Sequence, residues 1–591
     1  MKQRSNDTTG LFDTIELNEA NESAAKVGFT KVLKQYIGHG MKKMRMSFSK
    51  SCDSSFLSNM LDRLYFGILG CSMKAIATFL LSFSFISLLI SYFDSVNLRM
   101  FMLSTNTLSV VILIFLSLIF FTTKKSLGDV ISSSTIAFPL SIVYNQQNIY
   151  LSNTSQNRKS EGYSTAFFLG VLTGISSIVF PPSAIIVFIL SAVYCVFIFG
   201  RPECGLLFSI FAIPFFNEVA VIFLSLFTFI SLVYKYLRGK RHIDFGVMQI
   251  MMIAAMVYIV IRFAYTDKSI VDYNQLFNFL SFFLVCITSI SLTRTTAILL
   301  RSIKIIMNIS RIYALILICY LVLCSVFSVE TTGNYLSNFA LSGLMTSLTS
   351  QRFIIPFLAI VFPLNFSLVV SGEKSQQKIR NIVFLVILIL ITTYYASYEF
   401  ILTIFVFSLL NVIFVKPKLF FLLIPCPAIA FGIMKLHDLI PSKFMISASS
   451  TPNSNVAEIF DRIKTSLVFG SGLERIENSS LGSINSSFVN ILSHIGAFGV
   501  LLLAVIIVFM IYKSFSSIYR SSIRIESART VATGLVCSSM SLIVSTIYCD
   551  GLSDYRIVFM FAIVMSLAYS AGRCYDADYI DSTSVREYHQ F

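Results

Sequence analysis

Arg352, Arg462 and Arg475 each combine a permanent positive charge with a planar fork of donors that can hold a phosphate by two oxygens at once. Arg352 lies in SLTSQRFIIPF, at the mouth of an apolar run, and Arg462 lies in NVAEIFDRIKTSLVFGSGLE. For each, a surface or topology-setting arginine is the alternative reading. Glu399 and Glu474 supply carboxylates able to take a proton from a hydroxyl. Glu399 sits at the tip of the hairpin 381–415, and a carboxylate that close to hydrocarbon is rare unless it is used; a water-facing turn residue is the alternative. Asn485 and Ser486 either orient hydroxyl groups or cap the helix that follows, and His494 either serves chemistry or bonds within a helix bundle. Arg262, near the end of an apolar run, reads as an arginine that snorkels to the interface, with a place facing the bundle interior as the alternative.

The remaining composition narrows the chemistry. No C-x-x-C pair or His/Cys cluster has metal-ligand spacing, no Asp-rich motif could hold a divalent ion, and no glycine-rich phosphate loop opens a helix. The expectation is a reaction without metal, cofactor or nucleotide. Cys195, Cys286, Cys319, Cys324 and Cys537 lie inside apolar runs, where cysteine behaves as a small hydrophobe.

The elements that must position these residues are membrane spans. Of the 591 residues, 55% are hydrophobic and 13% charged, with 57 Phe and no Trp, and the mean hydropathy is +0.78. A soluble chain of this length needs about twice that charged fraction. The apolar runs are continuous, which excludes alternating barrel strands, and many reach the roughly 17–20 residues that cross a hydrocarbon core as helix. The expected fold is an all-α polytopic bundle of about 12–16 spans. They fall at 75–93, 101–121, 164–180, 182–199, 204–216, 218–235, 245–263 and 275–292. They continue at 311–327, 353–371, 381–394, 398–415, 419–434, 494–512, 530–548 and 556–571, with 128–146 as a re-entrant alternative.

The net charge of +15 is carried by short loops between these runs, which argues for topology signals and against nucleic acid. Lys124–Lys125, Lys235–Arg241, Arg294–Lys304, Lys374–Arg380, Lys416–Lys418 and Lys513–Arg529 all fall on one side if the N-terminus is cytoplasmic. The C-terminal tail 572–591 then falls inside as well. Residues 1–74 form a cytoplasmic extension without a signal-peptide pattern. Between Lys26 and Lys50 it carries seven Lys/Arg and no acid, and Phe29, Val32, Leu33, Tyr36 and Ile37 share a helical face suited to an anionic membrane surface. A solvated tail is the alternative. The loops 328–352 and 435–493 fall outside and are long for connections between spans, which assigns chemistry to the outer face.

In the second loop, Asn455 and Glu458 form a capping box for a helix with the stripe Val456, Ile459, Phe460, Ile463 and Leu467, stopped by Gly470 and Gly472. This helix is expected to lie on the outer surface and hold Arg462 at headgroup level. An arginine on a helix, a G-x-G turn, and then NSSFVNILSHIGAFG running into a span resembles the O-antigen ligase and polymerase superfamily. Phe488, Leu492, Gly496 and Gly499 carry the second half of that pattern. TTYYASYEFILTIFVFSLL is similar to the family's outer hairpin, and RPECGLL at Arg201 to a proline-containing family turn. Where a ligase carries His, this chain has Asn485, which points to the polymerase (Wzy-type) branch.

The resemblance implies a GT-C-like membrane glycosyltransferase at the outer face of a bacterial inner membrane, with both termini cytoplasmic. It would pass glycan from a polyprenyl-diphosphate donor to another lipid-linked repeat unit of lipopolysaccharide O-antigen or capsule. Arg462, Arg475 and Arg352 would hold the departing diphosphate, whose charge grows in the transition state. Glu399 or Glu474 would act as base, and Asn485 and Ser486 would bind sugar. Membrane lipids and a chain-length regulator protein are the implied partners. A ligase, or a flippase for the same lipid-linked unit, is the rival function.

Overall fold

The computed structural model describes residues 55–94, 105–123, 126–127, 130, 162–215, 218–238, 246–265, 273–327, 351–370, 375–395, 398–415, 432, 435, 468–470, 487–521, 526–547, 551–552 and 554–588. Among them every extended element is helical. The helices are α1 Phe56–Leu69, α2 Met73–Asp94, α3 Thr105–Phe121, α4 Tyr163–Ile175, α5 Pro182–Gly200, α6 Pro202–Ala212, α7 Glu218–Leu237 and α8 Val247–Tyr265. They continue as α9 Tyr273–Leu292, α10 Thr296–Phe327, α11 Gln351–Val370, α12 Ser375–Tyr395, α13 Tyr398–Val415, α14 Ser487–Ser521, α15 Glu526–Ser545 and α16 Tyr555–Tyr588.

Eight of these helices are long and apolar enough to cross a membrane, and seven shorter apolar helices of 10–17 residues accompany them among the described residues. Phe115, Ile119, Phe168, Leu172 and Phe188 are exposed on α3, α4 and α5. An apolar surface of that extent is stable against lipid rather than water. The architecture is that of a multi-pass helical membrane protein.

At the centre stands α16. Its stretch Tyr555–Cys574 is almost wholly buried, and α9, α10, α11, α14 and α15 all pack on it. In lipid, helices associate through close packing rather than hydrophobic exclusion, so small residues mark the contacts. Gly534 of α15 brings its backbone so near α11 that a Cβ there would stand 2.8 Å from that of Ser367. The Ser367 hydroxyl also donates to the Thr530 carbonyl over 2.6 Å. The same device recurs at Gly170 and Gly174 of α4, a G-x-x-x-G spacing, where added Cβ atoms would stand 2.6 Å from the Phe79 carbonyl and 2.7 Å from the Ile86 Cβ of α2.

Several helices overrun the expected spans, and 494–512 lies inside α14, which runs from Ser487 to Ser521. The expected span at 311–327 is the second half of α10, which begins at Thr296 and includes Arg301 and Lys304. Its first turns still bury Leu299, Ile303, Ile306 and Met307, so an amphipathic stretch joins the apolar one without a helix breaker between them. Likewise α16 runs past the expected end at 571 to Tyr588. The expected elements 29–37, 128–146, 419–434 and 455–467 lie wholly or largely outside the described residues.

Candidate functional site

The chain ends of several helices converge on one side of the bundle, and the convergence is built around a break in α14. Gly496 has φ 69° and ψ 178°, a conformation that only glycine adopts without strain. Breaking the ladder there frees main-chain groups that need partners. The Ile495 carbonyl accepts a hydrogen bond from the Tyr258 hydroxyl of α8, 2.9 Å away. The Phe498 N–H donates to the Val468 carbonyl over 3.1 Å. The Tyr258 and Phe498 rings meet edge to face with centroids 5.3 Å apart.

Val468 belongs to the turn that the sequence marks with glycines. Gly470, at φ 75°, lies backbone to backbone against the α14 break. A Cβ on Gly470 would stand 2.5 Å from the Gly496 nitrogen and 2.6 Å from the His494 carbonyl oxygen. A Cβ on Gly496 would stand 2.6 Å from the Val468 carbonyl oxygen and would also overlap the Gly470 nitrogen. Each glycine therefore leaves room for the other. The Gly470 carbonyl accepts from Arg262 Nη2 at 2.8 Å, so Arg262 serves the bundle rather than snorkelling away from it. His494 is buried beneath this contact.

A second assembly lies at the same end. Asp554 caps α16: its Oδ1 accepts the Arg556 main-chain N–H at 2.9 Å and the Arg556 Nε at 3.0 Å, while Oδ2 takes Nη2 at 2.6 Å. Both side chains are buried, and the guanidinium lies over the Phe353 ring at 4.3 Å from its centroid. Burial of such a pair is offset by its bidentate, charge-assisted geometry. Phe353 in turn packs against Tyr313, with centroids 5.5 Å apart. Gly551 lies directly on Pro356 of α11. The Leu552 N–H donates to the Ser487 hydroxyl at 2.9 Å, which ties this loop to the first residue of α14.

Arg352 is the second residue of α11 and the chain neighbour of Phe353, whose ring lies beneath the Arg556 guanidinium. Glu399 is the second residue of α13, which packs on both α11 and α15. The helix starts carrying Arg352 and Glu399 lie at the same end of the bundle, because α12 runs back between the two. Arg462, Arg475, Glu474, Asn485 and Ser486 lie outside the described residues. Sequence reading overlooked Asp554 and Arg556, although Asp554 directly before the apolar run at 555 is an N-cap signal. It also overlooked Arg311, which donates to Asn381 Oδ1 at 2.6 Å and Asn308 Oδ1 at 2.9 Å.

Between α9, α14, α15 and α16 an apolar groove of about 500 Å³ opens beside this end. Gln275, Asn278 and Thr546 supply polar groups to its lining, and Ile543, Leu503 and Phe561 supply apolar ones. Among the described residues no group of three or more His, Cys, Asp or Glu could hold a metal ion. Comparison with protein-family models, curated proteins and solved structures finds no match. The fold and the site together define a multi-pass helical membrane protein with a braced polar end beside an apolar groove.

Proposed function

We propose that this chain is a surface-polysaccharide polymerase of the O-antigen type, a GT-C-like glycosyltransferase working on polyprenyl-diphosphate-linked repeat units at the outer face of the inner membrane. The observation that carries the reading is the Gly470–Gly496 contact. The glycine turn and the helix glycine on which the family resemblance rests are 26 positions apart, yet they meet backbone to backbone and are braced by Arg262 and Tyr258. A turn held that firmly suits a loop that must aim a cation at a diphosphate, because misplacement of about 1 Å can cost two orders of magnitude in rate.

The apolar groove beside α14 supports the reading, since an isoprenoid tail needs hydrocarbon contact while its diphosphate stays at the polar end. In this scheme Arg462, Arg475 and Arg352 receive the leaving diphosphate, Glu399 or Glu474 takes the acceptor proton, and Asn485 and Ser486 hold sugar hydroxyls. The bond formed joins the acceptor oxygen to the anomeric carbon of the donor. The bond broken releases the polyprenyl diphosphate, and no nucleotide or metal enters.

Deletion of the gene distinguishes the candidate functions. A polymerase mutant displays surface glycan of single repeat units. A flippase mutant displays none, and a ligase mutant accumulates long chains that remain on the lipid carrier; either of those phenotypes contradicts the proposal.

A further inference from the structure

A second cavity, of about 950 Å³, lies between α1 and the helices α2, α3, α4 and α5. It is remote from the braced end. Tyr65 of α1 packs edge-on against Phe197 near the end of α5, with centroids 5.9 Å apart. The Ser231 hydroxyl of α7 donates to the Ile198 carbonyl of α5 at 2.6 Å. The Ser225 hydroxyl, nearly two turns earlier on α7, meets the Tyr555 hydroxyl at 3.1 Å. So α7 runs from the braced end, at Tyr555, toward α5 and α1 at the other.

The lining is apolar almost throughout. Phe56, Met60, Leu64 and Ile68 form one stripe of α1 at helical spacing, and this stripe faces the cavity while Tyr65 on another face packs into protein. Phe56 is 80% exposed, Met60 41% and Leu64 40%, so the helix presents an apolar face that no described residue covers. Among the described lining residues Arg63 alone carries a charge. Immediately before α1 the sequence places seven Lys/Arg and no acid between Lys26 and Lys50.

An apolar cavity with one cation among its described lining residues, on a helix that a strongly basic stretch precedes in sequence, is complementary to an amphiphile with an anionic head. We propose that this cavity is a binding site for an anionic phospholipid of the leaflet facing α1, with the acyl chains along α2, α3 and α5 and the headgroup phosphate at Arg63. The lipid completes the packing of α1 against the bundle. This assignment does not depend on the polymerase reading, because the cavity lies at the opposite end from the glycine contact.

The full-length protein, stripped of lipid in detergent, is titrated with phosphatidylglycerol and with phosphatidylcholine, and retained lipid is counted by native mass spectrometry. One phosphatidylglycerol should be retained about fivefold more strongly than phosphatidylcholine, the preference expected of one interfacial cation. Arg63→Gln should remove the preference, Arg63→Lys should keep it, and Ile189→Trp, which fills the cavity, should lower retention of both lipids. Equal retention of the two lipids by the unaltered protein overturns the proposal. So does a preference that survives Arg63→Gln, which would assign it to the basic stretch. A dimer that Ile189→Trp dissociates, with lipid retention unchanged, would give the cavity to a second copy of the chain and also overturn it.

Discussion

At Arg556 the guanidinium is buried against the Asp554 carboxylate, with a ring beneath it. Removing one member of such a pair strands the other charge, and the cost is about 3–5 kcal/mol. Arg556→Met should therefore lower the yield of folded protein sharply, whereas Arg556→Met combined with Asp554→Asn should recover much of it; thermal denaturation in detergent measures both. If the double variant is no better than the single one, the pair does not act as a unit. Arg462 belongs to a different class, since its assigned partner is substrate. Arg462→Ala should leave the protein inserted and abundant and reduce surface chains to single units, read on a glycan gel. Chains of normal length distribution from that variant remove Arg462 from the mechanism.

Among the elements, α14 carries the most specific geometry. Gly496→Ala must hold alanine at φ 69°, ψ 178°, at about 1–3 kcal/mol, and in addition drive a methyl group into the Val468–Gly470 turn. The expected result is a protein that remains membrane-embedded but exposes the flanking loop to protease, with Gly470→Ala behaving the same way. Arg262→Ala should give a milder form of that effect, since it removes one hydrogen bond to the Gly470 carbonyl and fills no space. Unchanged digestion of all three variants contradicts the bracing role. The sequence marked these glycines as a pair of motifs, and Phe488, Leu492, Gly496 and Gly499 as their continuation. That the two glycines touch was not readable, because contact across 26 residues depends on a chain reversal that no local pattern encodes. Arg262 was misread for a related reason: an arginine at a span end looks the same whether it reaches headgroups or a carbonyl.

For the whole molecule, apolar runs predicted the helices closely where breakers bound them, as at 398–415, which is α13 to the residue. They failed at α10, α14 and α16, where helices continue past the apolar run into charged stretches that hydropathy cannot distinguish from loops. The packing order was also hidden. Small residues such as Gly534 and Ser367 decide which helices approach, and they leave hydropathy almost unchanged. Gly170→Leu should accordingly separate α4 from α2 and destabilise the N-terminal helices, measured as faster proteolysis there. Purified protein tests the proposed reaction most directly. In detergent, without nucleotide or added metal, it should convert a lipid-linked repeat unit into a ladder of lipid-linked oligomers with release of polyprenyl diphosphate. Bound substrate that is never extended would contradict the account.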